Sequence, residues 1–139
     1  MLNAQRFPFV ERTNMVGLSS AMPYLPIALS HQEQSVEMVA LLDTGASVNV
    51  LPYETGLQLG AVWEDQAVPI QLSGNLASLE ARGLVLSATV ADFPSVLLAF
   101  AWTKSREVPP ILGHMNFFAE FDVCFYRADL AFELNPRAK

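Results

Sequence analysis

A chain of 139 residues is about one domain and buries roughly two-thirds of its unfolded surface, enough for a real core and too little for a two-lobed architecture. Hydrophobic residues make up 52% and charged residues 16%, which excludes a disordered chain; part of the apolar excess fits a subunit interface, because obligate homodimer contacts resemble a core cut in half. The net charge of -6, with eight scattered Lys and Arg, offers no positive field for a phosphate backbone, so nucleic acid is excluded as a partner.

In chain order, residues 1–22 lack periodicity and read as an N-terminal extension, with residues 6–10 a short edge strand followed by a Thr, Asn, Gly and Ser loop. Residues 23–29 open a strand whose prolines suit a start or an edge. His31 to Ser35 is a polar turn in which His31 is expected to be solvated. Residues 36–42 form the return strand and 48–52 another short apolar one. Residues 53–59 make one helical turn ended by Gly60.

Residues 68–72 and 76–82 flank Ser73, Gly74 and Asn75, a hairpin signal because Gly and Asn tolerate positive φ. Residues 84–90 and 96–102 are further strands, broken by Asp92 and Pro94, which argues against a membrane span. A polar loop, residues 103–109, leads to Ile111, Leu112 and Gly113, and then to the one good helix candidate, residues 114–121. Residues 123–126 and 130–134 pair across Arg127, Ala128 and Asp129. Many short strands and one short helix predict an all-β domain, a closed or partly closed barrel.

Cys124 is the sole cysteine, so no internal disulfide forms, and it is expected to be a small buried hydrophobe on a strand. Two histidines and one cysteine without close spacing make no zinc site, and no metal or cofactor is expected. His114 reads as a surface or capping residue at a helix start. Phe117, Phe118, Phe121, Phe125 and Phe132 read as core or interface packing. Neither a Gly-x-Ser-x-Gly elbow nor a phosphate loop is present. The N-terminus has no basic region followed by an apolar run and a cleavage site, so the chain reads as soluble and cytoplasmic, without a membrane partner.

The chemistry-bearing segment is Leu41-Leu42-Asp43-Thr44-Gly45-Ala46-Ser47, an aspartate on a tight turn fed by an apolar strand. It resembles the active-site loop of the aspartic peptidases. Alone, Asp-Thr/Ser-Gly is weak, arising by chance in one of ~15 to 20 chains of this length. Its position between apolar strands, the glycine hairpin after it and the Ile111-Leu112-Gly113 segment make the order resemble that of the retropepsins, over roughly residues 23–135. The domain assignment is accordingly a retropepsin-like domain over residues 23–139.

The resemblance implies a catalytic Asp43, an interlocking Thr44, and Gly45, Ala46 and Ser47 against substrate backbone. It places Val50 and Ile111 in apolar side-chain pockets, Ser73, Gly74 and Asn75 in a flap, and Leu112 with Gly113 in support of the turn. Hydrolysis through carboxyls needs two of them sharing one proton, so that one takes a proton from water while the other donates. One Asp-Thr-Gly per chain then implies a homodimer with a peptide or protein substrate across its two-fold axis. Ala46 stands where pepsins carry serine, which implies fewer donors to the carboxylate. The alternative is a β-barrel binding or scaffold module that keeps the fold without bringing two Asp43 carboxyls together.

Overall fold

A computed structural model describes residues 4–13 and 16–137. The chain begins with β1 (Gln5–Pro8), followed by β2 (Val10–Thr13) and β3 (Ser19–Met22). The barrel strands follow: β4 (Tyr24–His31), β5 (Gln34–Leu42) and β6 (Asn49–Leu51). Helix α1 (Tyr53–Gln58) leads to β7 (Ala81–Thr89), β8 (Val96–Thr103) and β9 (Ile111–Leu112). The chain ends with α2 (Phe117–Glu120), β10 (Phe121–Tyr126) and β11 (Ala131–Pro136).

Six strands close a barrel in the order β4-β5-β9-β6-β8-β7, with β4 and β7 pairing to complete it. Side chains alternate across each strand, which is why the core is read off every second residue. Leu25, Ile27 and Leu29 of β4 face inward with Leu84, Leu86 and Ala88 of β7 and Leu98, Phe100 and Trp102 of β8. Trp102 stacks on Tyr53, with centroids 5.7 Å apart, and meets Trp63 edge-on at 5.3 Å. Each fully buried large side chain of this set contributes about 1.5–3 kcal/mol.

A separate sheet, ordered β1-β11-β10, lies outside the barrel, so residues 5–8 pair with the end of their own chain. Phe121, Phe132 and Leu134 anchor it to the main core, where Phe117 stacks on Phe121 at 4.9 Å. Among the described residues, no helix is long and apolar enough to cross a membrane.

The all-β barrel expectation holds, and five local expectations are corrected. Val10–Thr13 and Ser19–Met22 form a hairpin where a loop was expected; Gly17, with φ +85, turns the chain between them. Residues 68–72 and 76–82 do not form a regular ribbon: one bridge joins Pro69 to Arg82, and Gly74–Leu76 is a single 3₁₀ turn. The reason is packing, because Leu72, Leu76 and Leu79 fold inward onto Val50, Ala101 and Ile111.

The helix expected over 114–121 shrinks to Phe117–Glu120. Met115 instead pairs in parallel with Val48, and the His114 and Met115 N–H groups bond Ala46 O and Ser47 O, so the chain stays extended up to the helix. Cys124 is exposed, since Phe121 and Val123 take the inward positions of β10 and leave Asp122, Cys124 and Tyr126 outward. On that outer face the Glu133 carboxylate, then Cys124, push the Tyr126 phenol above its ordinary range, with Arg6 opposing. Finally, His31 is half-buried, with Nδ1 at 3.2 Å from the Leu59 carbonyl.

Candidate active site

Strand β5 runs parallel to β9 through Leu41↔Ile111 and Leu42↔Leu112, and β6 meets β9 from the other side through Val50↔Ile111. The turn between β5 and β6 is therefore stretched over the end of β9. Main-chain bonds stitch the two segments together: the Asp43 N–H donates to Leu112 O at 3.0 Å, the His114 N–H to Ala46 O at 3.0 Å and the Met115 N–H to Ser47 O at 2.9 Å. Within the turn, the Ala46 N–H donates to Asp43 O at 3.0 Å and the Gly45 N–H to Asp43 Oδ1 at 2.9 Å. A backbone N–H on a carboxylate oxygen is a charge-assisted bond, shorter and stronger than a neutral one, and it fixes the rotation of the Asp43 side chain.

Gly113 lies directly behind the turn. A Cβ there would sit 2.6 Å from both the Ala46 and Val48 carbonyl oxygens, so no other residue fits without moving the turn. Its N–H donates to Asn49 Oδ1 at 2.8 Å, and Asn49 Nδ2 donates to Ala99 O at 3.0 Å. Asn49 is fully buried. Asn116 extends the same network, taking the Ala99 N–H on Oδ1 at 2.9 Å and donating from Nδ2 to Leu97 O at 3.0 Å. These two asparagines escaped sequence reasoning; the one available signal was a polar residue inside the apolar run Val48-Asn49-Val50-Leu51. Asn49→Leu leaves the buried Gly113 N–H unpaired and removes the bond to the part-buried Ala99 carbonyl, so urea unfolding is expected to show a loss of about 2 kcal/mol.

A cavity of about 340 Å³ opens in front of the turn. Asp43, Gly45, Ala46 and Ser47 form its floor, Val50 and Ile111 an apolar wall, and Ser73, Gly74 and Asn75 the opposite side. Val50, Leu72, Ala81, Ala101 and Ile111 make a small core beneath it, separate from the barrel interior. Nine residues singled out from the sequence thus share one cavity. The other three lie elsewhere: Leu112 is in the main core, Gly113 is buried behind the turn, and Thr44 is exposed at the apex. Among the described residues, the Thr44 hydroxyl has no partner within the chain. His114, expected to be a surface or capping residue, is exposed and also reaches the turn, with Nε2 at 2.7 Å from Thr44 O.

The Asp43 carboxyl is half-exposed, held by a backbone donor, and lies at the floor of an apolar-walled cavity. Alone, it supplies one carboxyl where proton exchange with water and a carbonyl needs two.

No family model and no curated protein matches the chain. The protease of EIAV, solved in complex with the inhibitor HBY-793, aligns at 17% identity and a TM-score of 0.49, over 67% of this chain and 82% of that one. A retropepsin-like aspartic protease from Rickettsia conorii aligns at 17% identity and a TM-score of 0.62, over 95% of this chain and 92% of that chain. That second likeness, spanning nearly the whole of both chains, establishes that this protein has the retropepsin-like fold.

Proposed function

We propose that the protein is an aspartic endopeptidase whose active site forms between two copies of the chain, each contributing Asp43. The observation that carries this reading is Asp43 itself, on the Thr-Gly turn of a retropepsin-like barrel at the floor of the 340 Å³ cavity. Two such turns meeting at a two-fold axis bring the carboxyls together, and like charges at that range hold one proton between them. The deprotonated member takes a proton from water as it attacks the peptide carbonyl, and the protonated member donates to the carbonyl oxygen. Thr44, exposed at the apex with a hydroxyl that has no partner among the described residues, would bond the partner turn.

In this reading the substrate is an extended peptide lying between the turn and the 73–75 segment, with apolar side chains against Val50 and Ile111. Residues 23–139 form the protease domain and residues 1–22 an extension or edge segment, whose strand β1 pairs with β11 of that domain.

Shared assembly of the site makes activity depend on concentration. Cleavage of a mixed peptide library is expected to favour bonds flanked by apolar residues, with specific activity falling as the enzyme is diluted through its dissociation constant. Constant specific activity down to a concentration where mass measurement finds only monomer would contradict the shared site.

A further inference from the structure

We propose that His114 is a positioning residue for Asp43, acting through the single peptide unit between Thr44 and Gly45; this rests on the catalytic role proposed for Asp43. His114 Nε2 lies 2.7 Å from the Thr44 carbonyl oxygen. A carbonyl only accepts, so Nε2 carries the proton and donates. The same peptide unit carries the Gly45 N–H, which donates to Asp43 Oδ1 at 2.9 Å. In a trans peptide the C=O and N–H of one unit point in opposite directions, so a donor fixed on the oxygen aims the hydrogen. Donation to the oxygen also polarises the unit and makes its N–H a stronger donor, as in any chain of hydrogen bonds.

His114 is held in place at its main chain and at its ring. The His114 N–H donates to Ala46 O at 3.0 Å, and the ring packs on Phe118 with centroids 5.3 Å apart. Among the described residues, no other group holds the Thr44 carbonyl, and the Gly45 N–H is the donor that the Asp43 carboxyl has within the chain. Ala46 offers only a methyl beside it. The orientation of one peptide plane therefore governs the carboxyl, and His114 sets that orientation from outside the substrate cavity, which it does not line.

The experiment compares His114→Phe, which keeps a ring against Phe118 but no donor, with His114→Gln, whose amide nitrogen stands near the Nε2 position. Both are made in the full chain. The Gly45 amide proton resonance is expected to move upfield in His114→Phe and to return in His114→Gln. In parallel, kcat on a cleaved peptide is expected to fall about tenfold in His114→Phe, the scale of one hydrogen bond, with KM changing less than about twofold, and to recover in His114→Gln.

An unchanged Gly45 resonance in His114→Phe, or a His114→Gln protein as impaired as His114→Phe, overturns the proposal. So does a wild-type imidazole whose ¹⁵N shifts report the proton on Nδ1, a measurement that needs no variant to fold. If the wild type cuts no peptide, the Gly45 resonance still decides the relay, so failure of the protease reading and failure of the relay are told apart.

Discussion

Replacing Asp43 by Asn is expected to lower kcat/KM by roughly 10⁴-fold, the upper end of what general acid–base groups contribute. The size follows from symmetry. One substitution removes both members of the pair, so the variant keeps neither a base for water nor an acid for the carbonyl oxygen. The fold is expected to survive, because the bonds that hold the turn are main-chain ones, from Asp43 N–H to Leu112 O and from Ala46 N–H to Asp43 O, and neither uses the carboxyl. An Asn oxygen still accepts from the Gly45 N–H. Unchanged molecular mass and melting temperature beside lost peptide cleavage is the expected combination. Cleavage within tenfold of wild type would place the chemistry elsewhere.

Gly113→Ala is expected to show the second large effect, on stability and activity together. The added methyl meets two carbonyl oxygens at 2.6 Å, both of them backbone of the turn and its continuation into β6, so no flexible side chain can yield. Overpacking of this kind costs about 3 kcal/mol, near 10 °C in melting temperature for a domain of this size. What relief there is comes from pushing residues 46–48 away from β9, which also displaces Asp43 at the other end of the turn. A misplacement of that order far from the reacting atoms costs about 10²-fold in rate. A melting temperature within about 2 °C of wild type would show that the turn has more room than the geometry allows.

Much of the fold was legible because the barrel strands obey the period-two rule. Leu25, Ile27 and Leu29 alternate with less buried residues, and Leu98, Phe100 and Trp102 share the face on the main core while Ala101, on the opposite face of β8, is buried in the smaller core under the cavity. The Asp43 turn was legible because its chemistry is local: an apolar strand, a carboxylate, and a glycine whose N–H reaches back to Oδ1. What the sequence concealed depends on contacts distant along the chain. Ser73, Gly74 and Asn75 carry hairpin chemistry, but the excursion is shaped by Leu72, Leu76 and Leu79 seeking Val50 and Ile111, and local propensity gives way to that packing.

The helix before β10 was overestimated for a similar reason. His114 and Met115 have helix-compatible side chains, yet Met115 is drawn into a parallel bridge with Val48, some 70 residues earlier, and the segment stays extended. Asn49 and Asn116 were invisible because a buried amide becomes meaningful only when its partners, Gly113 and the β8 backbone, are known. Cys124 was misplaced because a lone cysteine is usually buried, whereas its position here is set by the inward claims of Phe121 and Val123.

In the proposed enzyme two Asp43 carboxyls meet. A crystal structure of the protein bound to a peptide whose scissile carbonyl is replaced by a hydroxyl tests it most directly. One peptide per two chains is expected across a two-fold axis, with the Asp43 carboxyls about 3 Å apart and bracketing the hydroxyl. A peptide bound to a single chain, or an assembly in which the two carboxyls stand well beyond hydrogen-bond reach of a common atom, would contradict it.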